Sequence, residues 1–337
     1  MATPLSKKDD SIFLLWSFFH ALNQERKMKM STTKSKYAKS AEQKKIELDE
    51  TLKRLEQGVR NVFTSENYLE YLRFFAKMHN YSFNNTILIL SQLPTASFCA
   101  SYQTWKSLKC PVKKGQKGLS ILVPIPYKQE QSVTCKDKNG QIIYNSDGSK
   151  QKEKIYVERI CFRIGKVFDI SQTAGELPTL TQELSGNNDG FAKAITELME
   201  NPDIVIAYDN NLIGTNTNGY YHIAEHRIAL KSGMSINQTM KTLIHERAHS
   251  ILHTKDGNHY TRNEAEVQAE STAFVVSEVL GLDTSDYSFG YIAGWSNGKD
   301  LKELQQSLSI IEKTSREILI WITDNCSLSI PNMKLTV

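Results

Sequence analysis

The sequence predicts an α+β fold. The first part should combine helices with an antiparallel sheet and a hairpin insertion, and the second part should be mostly helical with a small sheet. Three observations predict this. Apolar residues recur at helical spacing from Leu48 to Val62. From Ile155 to Val167 they alternate, as in a half-buried strand. Capping-box patterns at Ser235–Gln238 and Thr261–Glu264 then begin two helices in the second part.

A chain of 337 residues can form two domains with separate cores. We predict a flexible basic arm at residues 1–45, a first domain at 46–175, a linker at 176–190 and a second domain at 191–337. Charge divides the same way, because residues 1–180 contain 29 Lys and Arg against 17 Asp and Glu, whereas the remainder contains 12 against 20. This asymmetry indicates an anionic partner for the first part and a different task for the second.

The strongest chemical signal is His-Glu-x-x-His at residues 245–249, within an apolar segment of helical period. Residues four apart lie on one face of a helix, so His245 and His249 can both bind one metal ion. Glu246 can reach an attacking water as general base. The pattern fixes only three positions and also occurs by chance, so further ligands are required to support it.

A third ligand is expected on the helix that follows the second capping box and ends at Gly281. This helix carries four candidates, Glu264, Glu266, Glu270 and Glu278. Glu266 and Glu270 share a face, whereas Glu264 is expected at a solvated helix start. His253 and His259 are expected at the surface or around the site rather than on the metal.

A strand-like segment, Asn218–Ile223, precedes these helices and is a candidate edge strand for an extended peptide. The tyrosine and histidine side chains of this segment are candidates for stabilising an oxyanion, and so is one tyrosine between the two predicted helices. The sequence leaves four such candidates open: Tyr220, Tyr221, His222 and Tyr260.

The order of the Gly-Tyr-Tyr strand, His-Glu-x-x-His and the segment Glu266–Phe274 resembles the ImmA/IrrE-type metallopeptidases, a gluzincin-like arrangement. The resemblance implies a Zn²⁺ cofactor with Glu266 as third ligand. It also implies that Glu270, where that family has Asn or Asp, orients a ligand, and Glu270 is the alternative for the direct contact. The open coordination position favours catalysis over a structural metal site.

The segment between Glu70 and Glu130 contains no acidic residue, and its basic residues are interleaved with aromatic ones. Cations that follow phosphates and rings that stack on bases are typical of single-stranded nucleic-acid binding. We assign Phe74, Phe75 and Phe83 to the core. The expected DNA contacts are Lys106, Lys113, Lys114, Lys117, Tyr81 and Trp105.

Four motifs in this part occur in order: Tyr81–Thr86, Gln103–Lys106, Val112–Gly118 and Val167–Thr173. Together they resemble the N-terminal domain of ArdC-type antirestriction proteins of conjugative plasmids and integrative elements, and Leu282–Trp295 also matches that group. The resemblance spans about residues 46–325. It implies binding of single-stranded DNA, and we include double-stranded DNA as an additional candidate partner.

The resulting hypothesis is a cytoplasmic antirestriction protein of a mobile genetic element, which binds single-stranded DNA and has a zinc metallopeptidase-like domain. The alternative is an active zinc metallopeptidase that cleaves a regulatory protein or a component of a restriction system, with DNA binding only for localisation. A dormant metal site is a third reading. Five cysteines without C-x-x-C spacing fit a reducing compartment. No apolar run reaches 18 residues, so no membrane partner is expected.

Overall fold

The computed structural model describes residues 40–138, 140–174, 188–252, 261–290 and 292–328. The described residues from Ile46 onward belong to one compact unit. The predicted arm at residues 1–45 and the predicted linker at 176–190 fall largely outside the described residues. In the part of the chain that the structure describes, no helix combines the length and apolarity needed to span a membrane.

The predicted α+β class is confirmed. The described α-helices are α1 (Ala41–Val62), α2 (Ser65–Lys77), α3 (Phe83–Gln92), α4 (Tyr102–Ser107), α5 (Asn188–Met199), α6 (Ile236–Leu252), α7 (Arg262–Leu280), α8 (Ile292–Ser296) and α9 (Leu301–Asn325). The strands are β1 (Cys99–Ser101), β2 (Leu119–Thr134), β3 (Lys152–Asp169), β4 (Val205–Asp209), β5 (Gly219–His222) and β6 (Arg227–Lys231).

The first sheet is antiparallel, in the order β1-β3-β2. Helix α3 covers the β2 edge of this sheet. Two amide side chains on α3 form hydrogen bonds with the backbone of β2, as a further strand would. Asn85 donates to the Leu122 carbonyl at 3.0 Å and accepts from the Leu122 N–H at 2.8 Å. Gln92 makes the same pair of bonds with Ser120. The Tyr81–Thr86 motif therefore has a structural role.

The Val167–Thr173 motif ends the sheet. The Asp169 carboxylate is 1% exposed and is satisfied by backbone N–H groups. It accepts from Ser97, Phe98 and Ser171 at 2.8–3.1 Å, and it forms a capping box with Gln172. Buried carboxylates require such donors. This motif joins the sheet to the preceding loop.

Strands β2 and β3 extend well beyond the core as a two-stranded ribbon. They pair from Leu119 opposite Val167 to Thr134 opposite Lys152. The sequence predicts a shorter strand, Leu119–Ile125, followed by a solvent-facing hairpin. The pairing in fact continues to Thr134, and the outer part faces solvent as predicted. We call the exposed portion, Pro124–Thr134 with Lys152–Phe162, the ribbon.

The second part contains a three-stranded sheet in the order β4-β6-β5, in which β4 and β6 are parallel and β5 is antiparallel. Its core lies between this sheet and helices α5, α6, α7 and α9. Strand β5 lies at the edge of the sheet, where the sequence predicts it. Gly281 ends α7 with φ of 70°, a left-handed conformation that glycine adopts readily.

Helix α7 belongs to two hydrophobic clusters. One face packs within the core of the second part through Ala269, Ala273 and Val276. The other contributes Val267, Phe274 and Val275 to a cluster with α2 and α3. The division at residues 46–175 and 191–337 remains a prediction, but the cores on either side of it are not separate.

Candidate metal centre

Helix α6 begins with half of the predicted capping box. The Ser235 hydroxyl accepts from the Gln238 N–H at 3.2 Å, whereas the Gln238 side chain bonds instead to Thr242. The apolar face of α6 is fully buried, with Met240, Leu243, Ile244 and Ala248 at 0% exposure. This face packs against the core. His245 and His249 lie on a different face of the helix, which is directed toward a cleft.

The structure brings three predicted ligands together. The Nε2 atoms of His245 and His249 are 3.0 Å apart. An Oε2 atom of Glu266 lies 3.8 Å from the first and 3.6 Å from the second. Ligand atoms bound at about 2.0–2.1 Å to one tetrahedral ion are separated by about 3.3 Å. The three side chains thus fit a single zinc-sized ion, and their ligand atoms all lie within 4.8 Å of one another.

Glu270 occupies a different place in the cluster. Its Oε2 lies 3.2 Å from Nδ1 of His245, on the opposite side of the imidazole from Glu266. A carboxylate that accepts from Nδ1–H leaves the Nε2 lone pair free for a metal and fixes the ring. The geometry therefore favours Glu266 as ligand and Glu270 as the residue that orients His245.

Glu246 lies in the wall of the cleft and is only 7% exposed. Burial raises the pKa of its carboxyl above the ordinary value, although the charges of His245 and His249 oppose this shift. The backbone N–H of Tyr221 on β5 makes a smaller contribution that lowers the pKa of this carboxyl. A carboxyl group with a raised pKa, held beside the cluster, is suited to accept and return a proton.

The carboxylates give the cluster a surplus of negative charge. Burial lowers the pKa of His245, but the hydrogen bond to Glu270 and the charges of three glutamates outweigh it, and the net pKa lies above the ordinary value. The imidazole of His249, 3.6 Å from the carboxylate, lowers the pKa of Glu266. The raised pKa of His245 means that the site favours positive charge, which a divalent cation also provides, and the lowered pKa of Glu266 keeps that side chain an anion.

Two cavities flank Glu246 along the edge strand β5, and both are lined by Gly219, His245 and Glu246. One, of about 290 Å³, extends toward the start of α6, and the other, of about 450 Å³, extends toward Glu266. Gly219 permits this close approach of strand and helix. A Cβ atom there would lie 2.7 Å from Thr242 Cγ2 and 2.9 Å from the Ala229 carbonyl oxygen.

The smaller cavity contains a lysine that sequence reasoning missed. The Lys241 side chain is 10% exposed, and its ammonium lies 2.9 and 3.0 Å from the two carboxylate oxygens of Asp286. It also lies 5.6 Å from the centre of the Tyr287 ring. Lys241 precedes His245 by four residues and so shares its helix face, a spacing that could have identified it.

The oxyanion candidates have other partners. Tyr220 donates its hydroxyl proton to Asp209 and accepts from Arg227, and the Tyr221 hydroxyl pairs with Nδ1 of His226. His222 accepts from the backbone N–H of Glu225. Tyr260, His253 and His259 lie outside the described residues.

Glu264 lies at the helix start and in the capping box, as predicted, but it is more buried than a solvated position. It completes the capping box of α7 with Thr261, and its carboxylate lies 2.6 Å from Nζ of Lys299. Both the capping bonds and this ion pair lower the pKa of Glu264. It therefore fixes the start of the helix that carries Glu266 and Glu270.

In the first part, the structure separates the predicted DNA contacts into two groups. Lys106, Lys113, Lys114 and Lys117 are exposed. Tyr81 and Trp105 are buried, at 5% and 0% exposure, so the prediction that their rings stack on bases is wrong. The Tyr81 hydroxyl donates to the Cys99 carbonyl, and the Trp105 indole N–H donates to the Phe168 carbonyl. Both rings fill the core beneath the sheet.

The core assignments for three other rings hold. Phe74 and Phe75 are buried, and Phe83 packs partly buried against the core. An open groove of about 880 Å³ passes beside Lys117 and is lined by cations and amides without an acidic residue. Its charged and amide side chains are Arg54, Gln92, Gln116, Lys117, Lys166 and Gln172. Glu47 lies nearby, 3.6 Å from Lys166.

Comparison with known proteins gives the following relations. Residues 27–168 match the family model of the N-terminal domain of the anti-restriction factor ArdC. An uncharacterized protein of Bacillus anthracis, pXO2-81, is 29% identical over 328 residues, covering 86% of this chain and 54% of that protein. The chain thus spans about half the length of the curated relative it matches.

Two solved structures are similar, both of antirestriction protein ArdC from the R388 plasmid. The metal-free form is 18% identical with a TM-score of 0.41, covering 72% of this chain and 85% of that one. The Mn(II)-bound form is 16% identical with a TM-score of 0.42, covering 74% and 85%. The family-model match confirms the resemblance inferred from the sequence motifs for the first part, and it extends back to residue 27, into the predicted arm. Residues 27–168 of this chain are thus similar to the N-terminal domain of the anti-restriction factor ArdC.

Proposed function

We propose that this chain is a metal-dependent hydrolase of the peptidase type, with His245, His249 and Glu266 as ligands and Glu246 as general base. The observation that carries the proposal is the convergence of three ligand atoms within 4.8 Å beside a buried glutamate. Two imidazoles and one carboxylate with an open position are the donor set of catalytic zinc.

A divalent ion at this position supplies Lewis-acid chemistry to water and to a scissile carbonyl. The residues of the chain do the rest. Strand β5 offers its free edge to an extended peptide, as in β-strand addition. Glu246 accepts a proton from the attacking water and delivers it to the departing amine. Glu270 accepts a hydrogen bond from Nδ1–H of His245 and so holds the ring in the tautomer whose Nε2 atom can bind a metal ion.

The test compares the wild-type protein with Glu246→Gln on a mixture of peptides from a digested bacterial proteome, with cleavage sites read by mass spectrometry. We expect cleavage by the zinc-loaded wild type, none after chelation, and a loss of about a hundredfold or more in the variant. The variant should bind zinc equally, because Glu246 is not a ligand. Equal cleavage by the variant, or an inactive zinc-loaded wild type, contradicts the proposal.

A second function is favoured by a separate observation. We propose that the first part binds single-stranded DNA in an antirestriction role for a mobile element. The family match of residues 27–168 supports it, as does the basic groove beside the exposed loop Lys113–Lys117. Since the Tyr81 and Trp105 rings are buried, phosphate contacts rather than stacking would supply most of the affinity.

Fluorescence polarisation of single-stranded oligonucleotides at several salt concentrations tests this role. Substituting Lys113, Lys114 and Lys117 by Gln should weaken binding and reduce the salt slope by about 2, at ~0.7 per phosphate contact. Restriction protection should fall in parallel. Gln at Lys193, Lys302 and Lys313, three exposed lysines of the second part, is the matched control. An unchanged slope in the first variant contradicts the assignment.

A further inference from the structure

The outer edge of β3 is open along the ribbon. Strand β2 pairs with one side of β3 as far as Thr134 opposite Lys152. Strand β1 covers the other side only at the base, through Val167–Asp169. Among the strands that the structure describes, none pairs with this second side between Lys152 and Lys166. A row of unpaired backbone N–H and C=O groups is a template for another strand, and a two-stranded ribbon gains stability from one.

The backbone groups at this edge belong to the even-numbered residues of β3. The Asn85 side chain bonds to both backbone groups of Leu122, so the even-numbered residues of β2 face away from β3. Leu122 lies opposite Ile164, and in an antiparallel ladder two opposite residues either exchange both bonds or both face outward. The base of β3 agrees, because the Ile170 N–H donates to the Phe98 carbonyl on the β1 side. Along the ribbon, the even-numbered residues of β3 therefore direct their N–H and C=O groups away from β2.

The two edges of the ribbon differ in whether they can accept a strand. Pro124 and Pro126 occupy outward positions of β2, where proline offers no N–H and blocks strand addition. Strand β3 contains no proline from Lys152 to Asp169, and its pairing with β2 is continuous, without a bulge. A further strand can therefore be added at β3 but not beside the two prolines of β2.

The exposed charges of β3 are complementary to those of a second, antiparallel copy of the same strand. Glu153, Glu158 and Arg159 are exposed, and none has an ion-pair partner among the described residues. Lys154 is also exposed and forms an ion pair with β2. With Tyr156 at a two-fold axis, residues equally far from it on its two sides lie opposite each other. Glu153 then lies opposite Arg159 of the second copy. Lys154 lies opposite Glu158, and the symmetry repeats both pairs.

The neighbouring registers lack this complementarity. An axis at Ile155 leaves only Lys152 opposite Glu158 as a pair of opposite charges, and an axis at Val157 leaves no such pair. Three other axis positions put a charged residue opposite its own copy: Lys154, Glu158 and Arg159. Like charges directly opposite each other destabilise a pair of strands. Among axis positions from 154 to 159, only Tyr156 aligns both kinds of opposite charges without aligning like charges.

We propose that two copies of this chain associate through the outer edges of their β3 strands, antiparallel and with Tyr156 at the two-fold axis. The overlap runs from Lys152 to Ile160, about 31 Å at ~3.4 Å per residue, and ends before the base where β1 pairs. Tyr156 is even-numbered, so its outward backbone groups bond across the axis. Ile155 packs opposite Val157 of the second copy, a pair of β-branched residues that suits a sheet. The two ribbons then form one four-stranded sheet, and the association uses neither the metal centre nor the basic groove.

The test measures the mass of the full chain in solution by sedimentation velocity, from about 1 to 100 µM. We expect the wild type to shift from monomer to dimer as the concentration rises. Glu153→Arg and Arg159→Glu each set like charges opposite each other, and each should raise the dimer Kd about tenfold or more. An equimolar mixture of the two variants should restore dimers, because each pair of like charges becomes a pair of opposite charges. The control is Arg163→Glu, on the same face but outside the overlap, which should change the dimer Kd less than about threefold.

A second pair of variants tests the backbone pairing. Tyr156→Pro removes an outward N–H of β3 at the axis and should abolish the dimer. Ser132→Pro removes an outward N–H at the opposite edge of the ribbon, on β2, and should leave the dimer intact. Neither N–H bonds between β2 and β3, and thermal unfolding checks that each variant is folded.

The outcomes separate clearly. A wild type that stays monomeric over the whole concentration range overturns the proposal. So does a dimer that persists in Tyr156→Pro, or a mixture of the two charge variants that stays monomeric. Dimers in the wild type and in the mixture, but in neither charge variant alone, support it.

Discussion

The metal cluster and the ribbon are built in contrasting ways. The cluster is carried by α6 and α7, whose opposite faces are fully buried, so its side chains are held before any ligand arrives. The ribbon exposes Ile160 and Phe162 to 63% and 46%, and only its base reaches the core. The comparison teaches that the metal ligands are held by helices packed on a buried core, whereas the ribbon depends mainly on the pairing of its own two strands.

The largest expected effect tests this contrast directly. Phe274→Ala removes a ring with 0% exposure from α7 and should lower the free energy of unfolding by about 3–5 kcal/mol. Phe162→Ala removes the same ring from the ribbon and should change it by less than about 0.5 kcal/mol. Urea denaturation of the two variants gives the comparison. A similar large loss at Phe162 would mean that the ribbon packs more tightly than its exposure indicates.

A second prediction sharpens the role of Glu270. Glu270→Gln leaves the three ligands in place but weakens the acceptor for Nδ1 of His245, so zinc affinity should fall about 10–100-fold. Glu264→Gln, on the same helix, should cost stability through the cap and the Lys299 ion pair while changing zinc affinity little. Competition with a fluorescent chelator measures both. Equal zinc affinity in wild type and Glu270→Gln would show that Glu270 does not contribute to metal binding.

The smallest effect concerns the support behind Glu246. Gly219→Ala would drive a Cβ atom against Thr242 and the Ala229 backbone, and should destabilise the protein by about 1–3 kcal/mol. The control is Gly190→Ala in α5, where the nearest atom is 3.9 Å away and the change should be neutral or slightly stabilising. Thermal unfolding of both variants and the wild type measures the two changes in stability. A neutral Gly219→Ala would show that strand and helix separate easily.

The same residues explain what the sequence could predict. His245 and His249 are four apart on one helix, so their spacing alone encodes their geometry, and the structure places them accordingly. Choosing between Glu266 and Glu270 required knowing how α7 packs against α6, which no local pattern contains. The spacing of Lys241 from His245 places it on the same helix face, but its pairing with Asp286, 45 residues away, could not be predicted from a local pattern.

In the first part of the chain, the sequence predicted the site less well. Its basic and aromatic composition suggested a stacking surface, but composition does not say which rings face inward. The Trp105 indole and the Tyr81 hydroxyl each bond to a backbone carbonyl near the sheet, which allows both large rings to be buried.

The most direct measurement of the central claim is X-ray absorption at the zinc edge on the wild-type protein and on Glu266→Gln, each with one equivalent of zinc. For the wild type the account predicts two imidazole ligands at about 2.0–2.1 Å with a carboxylate oxygen and no sulfur. The variant should bind more weakly and lose the carboxylate contribution. Zinc bound without imidazole scattering, or a spectrum unchanged in Glu266→Gln, would contradict the assigned metal centre.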